Sequence, residues 1–216
     1  MKDIAIFGVG GFGREVLALI HHINKIDLTY RVVGFFDDGH ERGEIVNGYP
    51  VFGKTAELNS WKKELDVAIS IGNPVVKKKI VEKITNPLIS FPTLIHPNVD
   101  IGLPEYVTIG KGCIICAGNM ITTNVVIGDF VILNLGCTVG HDTIIKDYSA
   151  FMPSCNISGE VMIGEGVYCG TGVKIINQTS IGDYTTIGAG AVITKPIPSY
   201  CTAVGVPAKP IKYHEM

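Results

Sequence analysis

Between residues 109 and 193 an apolar or branched side chain returns at every sixth position: Ile109, Ile115, Ile121, Ile127, Leu133, Val139, Ile145, Phe151, Ile157, Ile163, Cys169, Ile175, Ile181, Ile187 and Ile193. A second series, four residues after each member, is small or β-branched. It runs through Cys113, Val125, Val131, Cys137, Thr143, Ser149, Cys155, Val161, Val167, Val173, Thr179 and Thr185 to Ala191, with Asn119 as its polar exception. A helix, with 3.6 residues per turn, cannot keep a period of six on one face. Hairpins would need turn signals at every reversal. The pattern predicts a β-solenoid built of hexapeptides.

One corner recurs at a longer interval of eighteen residues: Ile109-Gly110-Lys111, Ile127-Gly128-Asp129, Ile145-Lys146-Asp147, Ile163-Gly164-Glu165 and Ile181-Gly182-Asp183. Three hexapeptides therefore make one coil of triangular section, and fifteen make five coils. Ile95 and Ile101 extend the pattern backwards with a two-residue slip near Glu105. Coils should stack at the roughly 4.8 Å spacing of paired strands. A stack of this kind needs its open ends covered, and the segments before and after it are the natural caps.

The pattern changes near residue 95. Ahead of it, the apolar run Ile4 to Phe7 ends in Gly8-Val9-Gly10-Gly11-Phe12-Gly13, followed by helix-forming residues from Arg14 to His22. Strand, glycine-rich turn and helix form an arrangement in which the backbone can approach a phosphate at a helix N-terminus. Arg31 to Phe36 reads as a second strand with Asp37 and Asp38 at its end, where an acidic residue can take a nucleotide hydroxyl or base edge. Val51 to Gly53, a helix over 55–64, a strand over 66–71, a helix over 74–84 and a strand over 88–91 complete a small α/β unit. The expected organisation is a Rossmann-like domain over 1–94, a β-helix over 95–194 and a C-terminal tail over 195–216.

The glycine turn alone leaves its ligand open. A dinucleotide needs two mononucleotide-binding halves and this unit has little more than one, which favours a mononucleotide or nucleotide sugar. A purely structural turn is the other reading, and Asp37 and Asp38 could equally sit in an exposed turn.

Composition removes several classes. The chain has 216 residues and a formal charge of -2, which gives no electrostatic footprint for nucleic acid. The basic run Lys77-Lys78-Lys79 reads as a solvated helix face. No stretch approaches the ~20 apolar residues of a membrane span, and the first residues do not resemble a signal peptide, so a cytoplasmic location is expected. Of the six cysteines, Cys113, Cys137, Cys155 and Cys169 fall on inward phases. That suits buried thiols in a reducing compartment better than disulfides or a metal site.

One histidine, His141, lies within the repeats, next to Asp142. The acid could orient the imidazole and stabilise its protonated form. Eighteen residues on, one coil above the same corner, Gly159 stands without a side chain, leaving a backbone N–H free to face a developing oxyanion. Asn134, one hexapeptide earlier, adds a polar group for substrate or histidine. A single imidazole excludes a three-histidine zinc site, and no metal is expected.

The repeats, followed by Gly205-Val206-Pro207-Ala208-Lys209, resemble the hexapeptide-repeat acyltransferases with a left-handed β-helix. With the glycine-turn domain and Leu133-Asn134-Leu135-Gly136-Cys137-Thr138-Val139-Gly140-His141-Asp142, the chain is similar to sugar acetyltransferases of the sialic acid O-acetyltransferase type. Within that group it looks most like the enzymes that N-acetylate nucleotide-linked 4-amino-4,6-dideoxy sugars.

That resemblance implies acetyl-CoA as co-substrate with no permanently bound cofactor, and a homotrimer with acyl-CoA lying between subunits. It implies His141 as general base, Asp142 as its supporting acid, Asn134 as an active-site neighbour and Gly159 as a donor near the thioester carbonyl. Gly8, Gly10, Gly13, Asp37 and Asp38 would hold the nucleotide, and Lys195, Lys209 and Lys212 are candidate partners for CoA or nucleotide phosphates. Some relatives carry a second histidine where this chain has Ala150, so any role it has in holding the cofactor must be met otherwise. O-acetylation of a sugar, a nicotinamide-dependent oxidoreductase and a non-enzymatic scaffold are the rival functions.

Overall fold

The computed structural model describes residues 1–214. Its first unit is a four-stranded parallel sheet in the order Tyr30–Phe36, Lys2–Phe7, Leu65–Ile69, Ile89–Ser90. The helix Gly11–Ile26 buries Val16, Leu17, Leu19 and Ile20 on one stripe and stops at Asp27, whose backbone is extended. The helix Pro74–Lys83 carries two local start signals: the Asn73 side chain accepts from the Val76 N–H at 3.0 Å, and Pro74 occupies the first turn.

Several elements are shorter than the pattern predicts, the strand expected over 88–91 narrowing to Ile89–Ser90 and that over 66–71 ending at Ile69. The helix expected over 55–64 covers only Thr55–Asn59, since Ser60 leaves helical geometry and Trp61 turns into an aromatic cluster with Phe36 and Phe52. The segment 51–53 makes a single bridge, from Val51 to Phe35.

From Leu94 onward the chain is a parallel β-solenoid. The first face holds Leu94–Ile95, Ile114–Ile115, Ile132–Leu133, Ala150–Phe151, Tyr168–Cys169 and Thr186–Ile187. The second holds six strands from Asp100–Ile101 to Val192–Ile193, and the third five from Val107–Ile109 to Ser180–Ile181. Ile121 pairs with Val139 and Ile127 with Ile145, the eighteen-residue step, whereas Ile115 pairs with Ile95, a step of twenty. The extra two residues form the short 3-10 turn Pro104–Tyr106 between the second and third faces.

Both inward series are buried as read except for Ile109 at their start, which is only partly buried. Most polar members bond to carbonyls of the next coil, as when Thr143 Oγ1 donates to Ser158 O at 3.1 Å and Ser149 Oγ to Gly164 O at 2.9 Å, while the buried Thr179 Oγ1 has no partner among the described residues. The Asn119 amide donates to the carbonyls of Cys116, Leu133 and Asn134 while its oxygen accepts from Cys137 N. These bonds are what permit polar atoms in the core. All six cysteines are free and buried.

The tail completes the first face. Cys201–Gly205 adds in parallel beside Thr186–Ile187, and Ala208–Tyr213 returns antiparallel. Among the described residues no helix is long and apolar enough to cross a membrane, and no group of three or more His, Cys, Asp or Glu side chains could hold a metal ion.

The α/β unit docks on the outer side of the first face, where Leu94, Ile114, Cys116, Ile132 and Ala150 meet Val16, Leu17 and Ile20. Its second contact is the corner between the third and first faces. There Phe91 packs on Phe130, Phe130 stacks on Tyr148, and Lys78 Nζ bonds Glu165 Oε1 at 2.7 Å and Tyr184 Oη at 2.9 Å.

This contact corrects the reading of the lysine run as solvated. Lys79 is exposed, but Lys78 belongs to the clasp and Lys77, three residues from both Pro74 and Ile80, shares their buried stripe at 1% exposure. No group accepts from Lys77 Nζ among the described residues. Burial pulls its amine down to about 7. Between that value and the ordinary lysine pKa the unfolded chain binds the extra proton, so this group makes stability rise with pH, and below about 7 the full cost of burying the cation is present. Lys77→Met is therefore expected to raise Tm by several degrees at pH 6.5, with the gain shrinking by pH 10; thermal melts across that range check it.

Candidate active site

On successive coils, positions eighteen residues apart share a corner. His141 follows Val139 at the corner between the second and third faces, the corner opposite the face on which the α/β unit sits. Its Nδ1 lies 2.8 Å from Asp142 Oδ2. A carboxylate only accepts, so the Nδ1 carries the proton, and the Nε2 lone pair is left free. The bond from His141, then one from Asn124, hold the Asp142 carboxyl below its ordinary value. The two side chains are 57% and 49% exposed, placing the pair on the open edge of the prism.

Gly159 lies directly above. A Cβ on it would stand 2.5 Å from His141 Nε2 and 2.6 Å from Cε1, so the imidazole occupies the space a side chain would take. Gly159 is itself buried. Its carbonyl accepts from Gln178 N at 3.1 Å, while its own N–H donates to no other group among the described residues. A basic ring nitrogen and an unused backbone donor thus stand side by side.

The corner backbone is rigid. Asp142 N donates to Thr123 O at 3.1 Å and Glu160 N to His141 O at 2.8 Å. Asn124, Asp142, Glu160 and Gln178, each one coil above the last, all have φ between 54° and 57°. Their side chains pair in twos: Asn124 Nδ2 donates to Asp142 Oδ1 at 3.1 Å and Gln178 Nε2 to Glu160 Oε2 at 3.1 Å. Asn124, a neighbour that the reading of the sequence missed, was detectable as the residue eighteen before Asp142.

Lys195 stands at the same offset from Ile193 as His141 from Val139, on the same edge three coils higher, or about 14 Å at the strand spacing. Asn134 and Lys209 are not on this edge. Asn134 follows Leu133 at the corner between the first and second faces. It is 6% exposed, its Oδ1 accepts from Leu135 N at 2.7 Å, and the strand Thr138–Val139 separates it from His141. Lys209 is exposed on the final hairpin of the first face, opposite Val204. Ala150 is buried in the seam with the α/β unit.

The glycine turn divides by role. Gly8 has φ +109°, and a Cβ there would lie 2.7 Å from Ser70 Oγ. A Cβ on Gly13 would overlap the Gly8 carbonyl. These two glycines let the helix close on the strand end. Gly10, the residue before the helix, has nothing within 4 Å of its missing side chain and opens a space before the free amides of the first turn.

Burial pushes the Asp37 carboxyl up, but the N–H groups of Val9 at 2.9 Å and Gly39 at 2.8 Å outweigh it and hold it below its ordinary value. Asp37 so braces the turn, while Asp38 accepts from the Thr55 N–H and hydroxyl, both at 2.8 Å.

Comparison with known proteins agrees with both halves. Residues 3–84 match the PglD N-terminal domain, and residues 160–195 match the bacterial transferase hexapeptide family of six repeats. GDP-perosamine N-acetyltransferase of Escherichia coli O157:H7 is 33% identical over 220 aligned residues, covering 98% of this chain and 97% of that one. The acetyltransferase domain of PglB from Neisseria gonorrhoeae, solved with acetyl coenzyme A, superposes with a TM-score of 0.86 at 34% identity over 97% of this chain and 99% of that one. PerB from Caulobacter crescentus, in complex with CoA and GDP-perosamine, gives 0.88 at 28% identity over 98% of both. On the full-length match, the fold and the repeats together, the chain belongs to the hexapeptide-repeat acetyltransferases that carry a PglD-type N-terminal domain.

Proposed function

We propose that the protein transfers the acetyl group of acetyl-CoA to the amine of a nucleotide-linked 4-amino-4,6-dideoxy sugar, with His141 as general base. The observation that carries this reading is the placing of the unused N–H of Gly159 directly above an imidazole that Asp142 orients and whose Nε2 is free. The sugar nitrogen attacks the thioester carbon and His141 Nε2 takes its proton. The carbonyl oxygen gains the electron pair and is met by the Gly159 N–H. Collapse expels the CoA thiolate, which takes up the proton that His141 Nε2 received from the amine. Base assistance of this kind is worth about 10²- to 10⁴-fold, and an oxyanion donor about 10²- to 10³-fold.

The domain that carries the glycine turn covers the face opposite the His141 corner of the same chain, which supports delivery of the sugar by a second copy. Its Gly10 turn, Asp37 and Asp38 hold the nucleotide, with Asn134 near the sugar, while His141, Asp142, Gly159 and Lys195 face it from the neighbouring edge. The third face supports an assembly of this kind: beside the His141 corner it exposes a row of apolar side chains, Val126, Ile144 and Met162, on three successive coils. A closed ring of three copies makes three such sites, with CoA lying along each edge between His141 and Lys195, and Lys209 from the adjoining copy. Lys195→Ala is expected to raise KM for acetyl-CoA several-fold at nearly constant kcat, read from initial rates.

The test is release of the CoA thiol with GDP-, UDP- and dTDP-linked 4-amino sugars and with free sialic acid. Turnover of one nucleotide amino sugar, with the acetyl group found on nitrogen, is the expected result. Turnover of sialic acid alone would assign O-acetylation instead.

A further inference from the structure

We propose that Asn124 is a positioning residue for acetyl transfer, holding the second carboxylate oxygen of Asp142 so that the first can hold the imidazole of His141. The inference rests on the reading of His141 as the base. Asp142 Oδ2 is engaged by His141 Nδ1 at 2.8 Å and Oδ1 by Asn124 Nδ2 at 3.1 Å, so the carboxylate is gripped from two sides and cannot turn about its last bond without losing one partner. Such restraint matters because both ends of the His–Asp pair are about half exposed. Water there competes for each hydrogen bond, and one exposed pair alone does little to fix a ring.

The backbone on which Asn124 stands is fixed one coil below. Its neighbour Thr123 accepts from Asp142 N, and Asn124 has φ +54°, a left-handed conformation that asparagine adopts readily. The residue thus brings two properties to one place: a backbone geometry the corner requires and a donor aimed at the acid. The bond from Asn124 also favours the charged carboxylate, in line with the lowered pKa of Asp142.

The test separates the donor from the backbone. Asn124→Gly keeps the left-handed corner open and removes only the side chain. Loss of kcat by roughly tenfold, with KM for both substrates and Tm unchanged, is expected when contacting residues are uncoupled in this way. In the Asp142→Ala background the same change should alter kcat less than about twofold, because the acid through which Asn124 acts is already gone.

A kcat within about twofold of wild type for the single Gly variant would make Asn124 a turn residue only, and equal losses in both backgrounds would show that it acts by another route. His141→Asn is assayed alongside. If it is inactive while Asn124→Gly is normal, only the positioning role falls; if it is active, the base assignment falls and this role with it.

Discussion

His141→Asn should lower kcat by about 10²- to 10⁴-fold while leaving Tm where it is. The imidazole projects from the prism edge with 57% of its side chain exposed, so little packing is lost. Asparagine can still donate toward Asp142, but it offers no basic nitrogen where Nε2 stands. KM for acetyl-CoA should change little, since nothing else along the edge is touched. Steady-state kinetics with a scanned melt check both halves, and a kcat within tenfold of wild type would remove His141 from the chemistry.

Gly159→Ala should be nearly as severe, with a loss in kcat of about 10²-fold or more, from a single added methyl group. That carbon would lie 2.5 Å from His141 Nε2, and the ring is the mobile party. The backbone of residue 159 does not have the positive φ that strains an L residue, so the coil itself can accept alanine. The imidazole would swing off its Asp142 partner, and the methyl would crowd the amide that meets the oxyanion. The substitution therefore separates site from scaffold: activity falls and Tm does not. Preserved activity would mean that neither the ring position nor the Gly159 amide matters to turnover.

Most of the solenoid was readable from the sequence because its burial rule is local. Each hexapeptide must turn two side chains inward, so Ile121 or Cys137 announces its phase without knowledge of any distant partner. The docking face left a weaker mark, because the third face is outwardly apolar too, at Val126, Ile144 and Met162. Ile114, Ile132 and Ala150 on the first face are apolar, while Thr138, Asn156 and Lys174 on the second are polar.

What escaped depended on packing between remote segments. Lys77 looks like one of three solvated lysines until the helix that carries it is seen pressed against the solenoid. Asn134 looks like a neighbour of His141 because seven residues part them, yet seven is not a multiple of eighteen, and the two occupy different corners. The same arithmetic would have brought Asn124 to Asp142. The glycine turn was found, but not the division of labour within it. That Gly13 is demanded by the carbonyl of Gly8, while Gly10 faces open space, is a matter of atoms rather than of motif.

Whether one active site draws on two copies of the chain is decided by subunit mixing. His141→Asn removes the base. Gly10→Glu places a carboxylate in the open space before the first helix, where it repels a phosphate without crowding the fold. Each variant alone should be inactive. Co-expressed in equal amounts and purified as mixed trimers, they should recover about a third of wild-type activity, since a site works when one copy supplies the histidine and its neighbour the intact turn. Mixed oligomers as inactive as either parent would place base and nucleotide turn in service of the same chain.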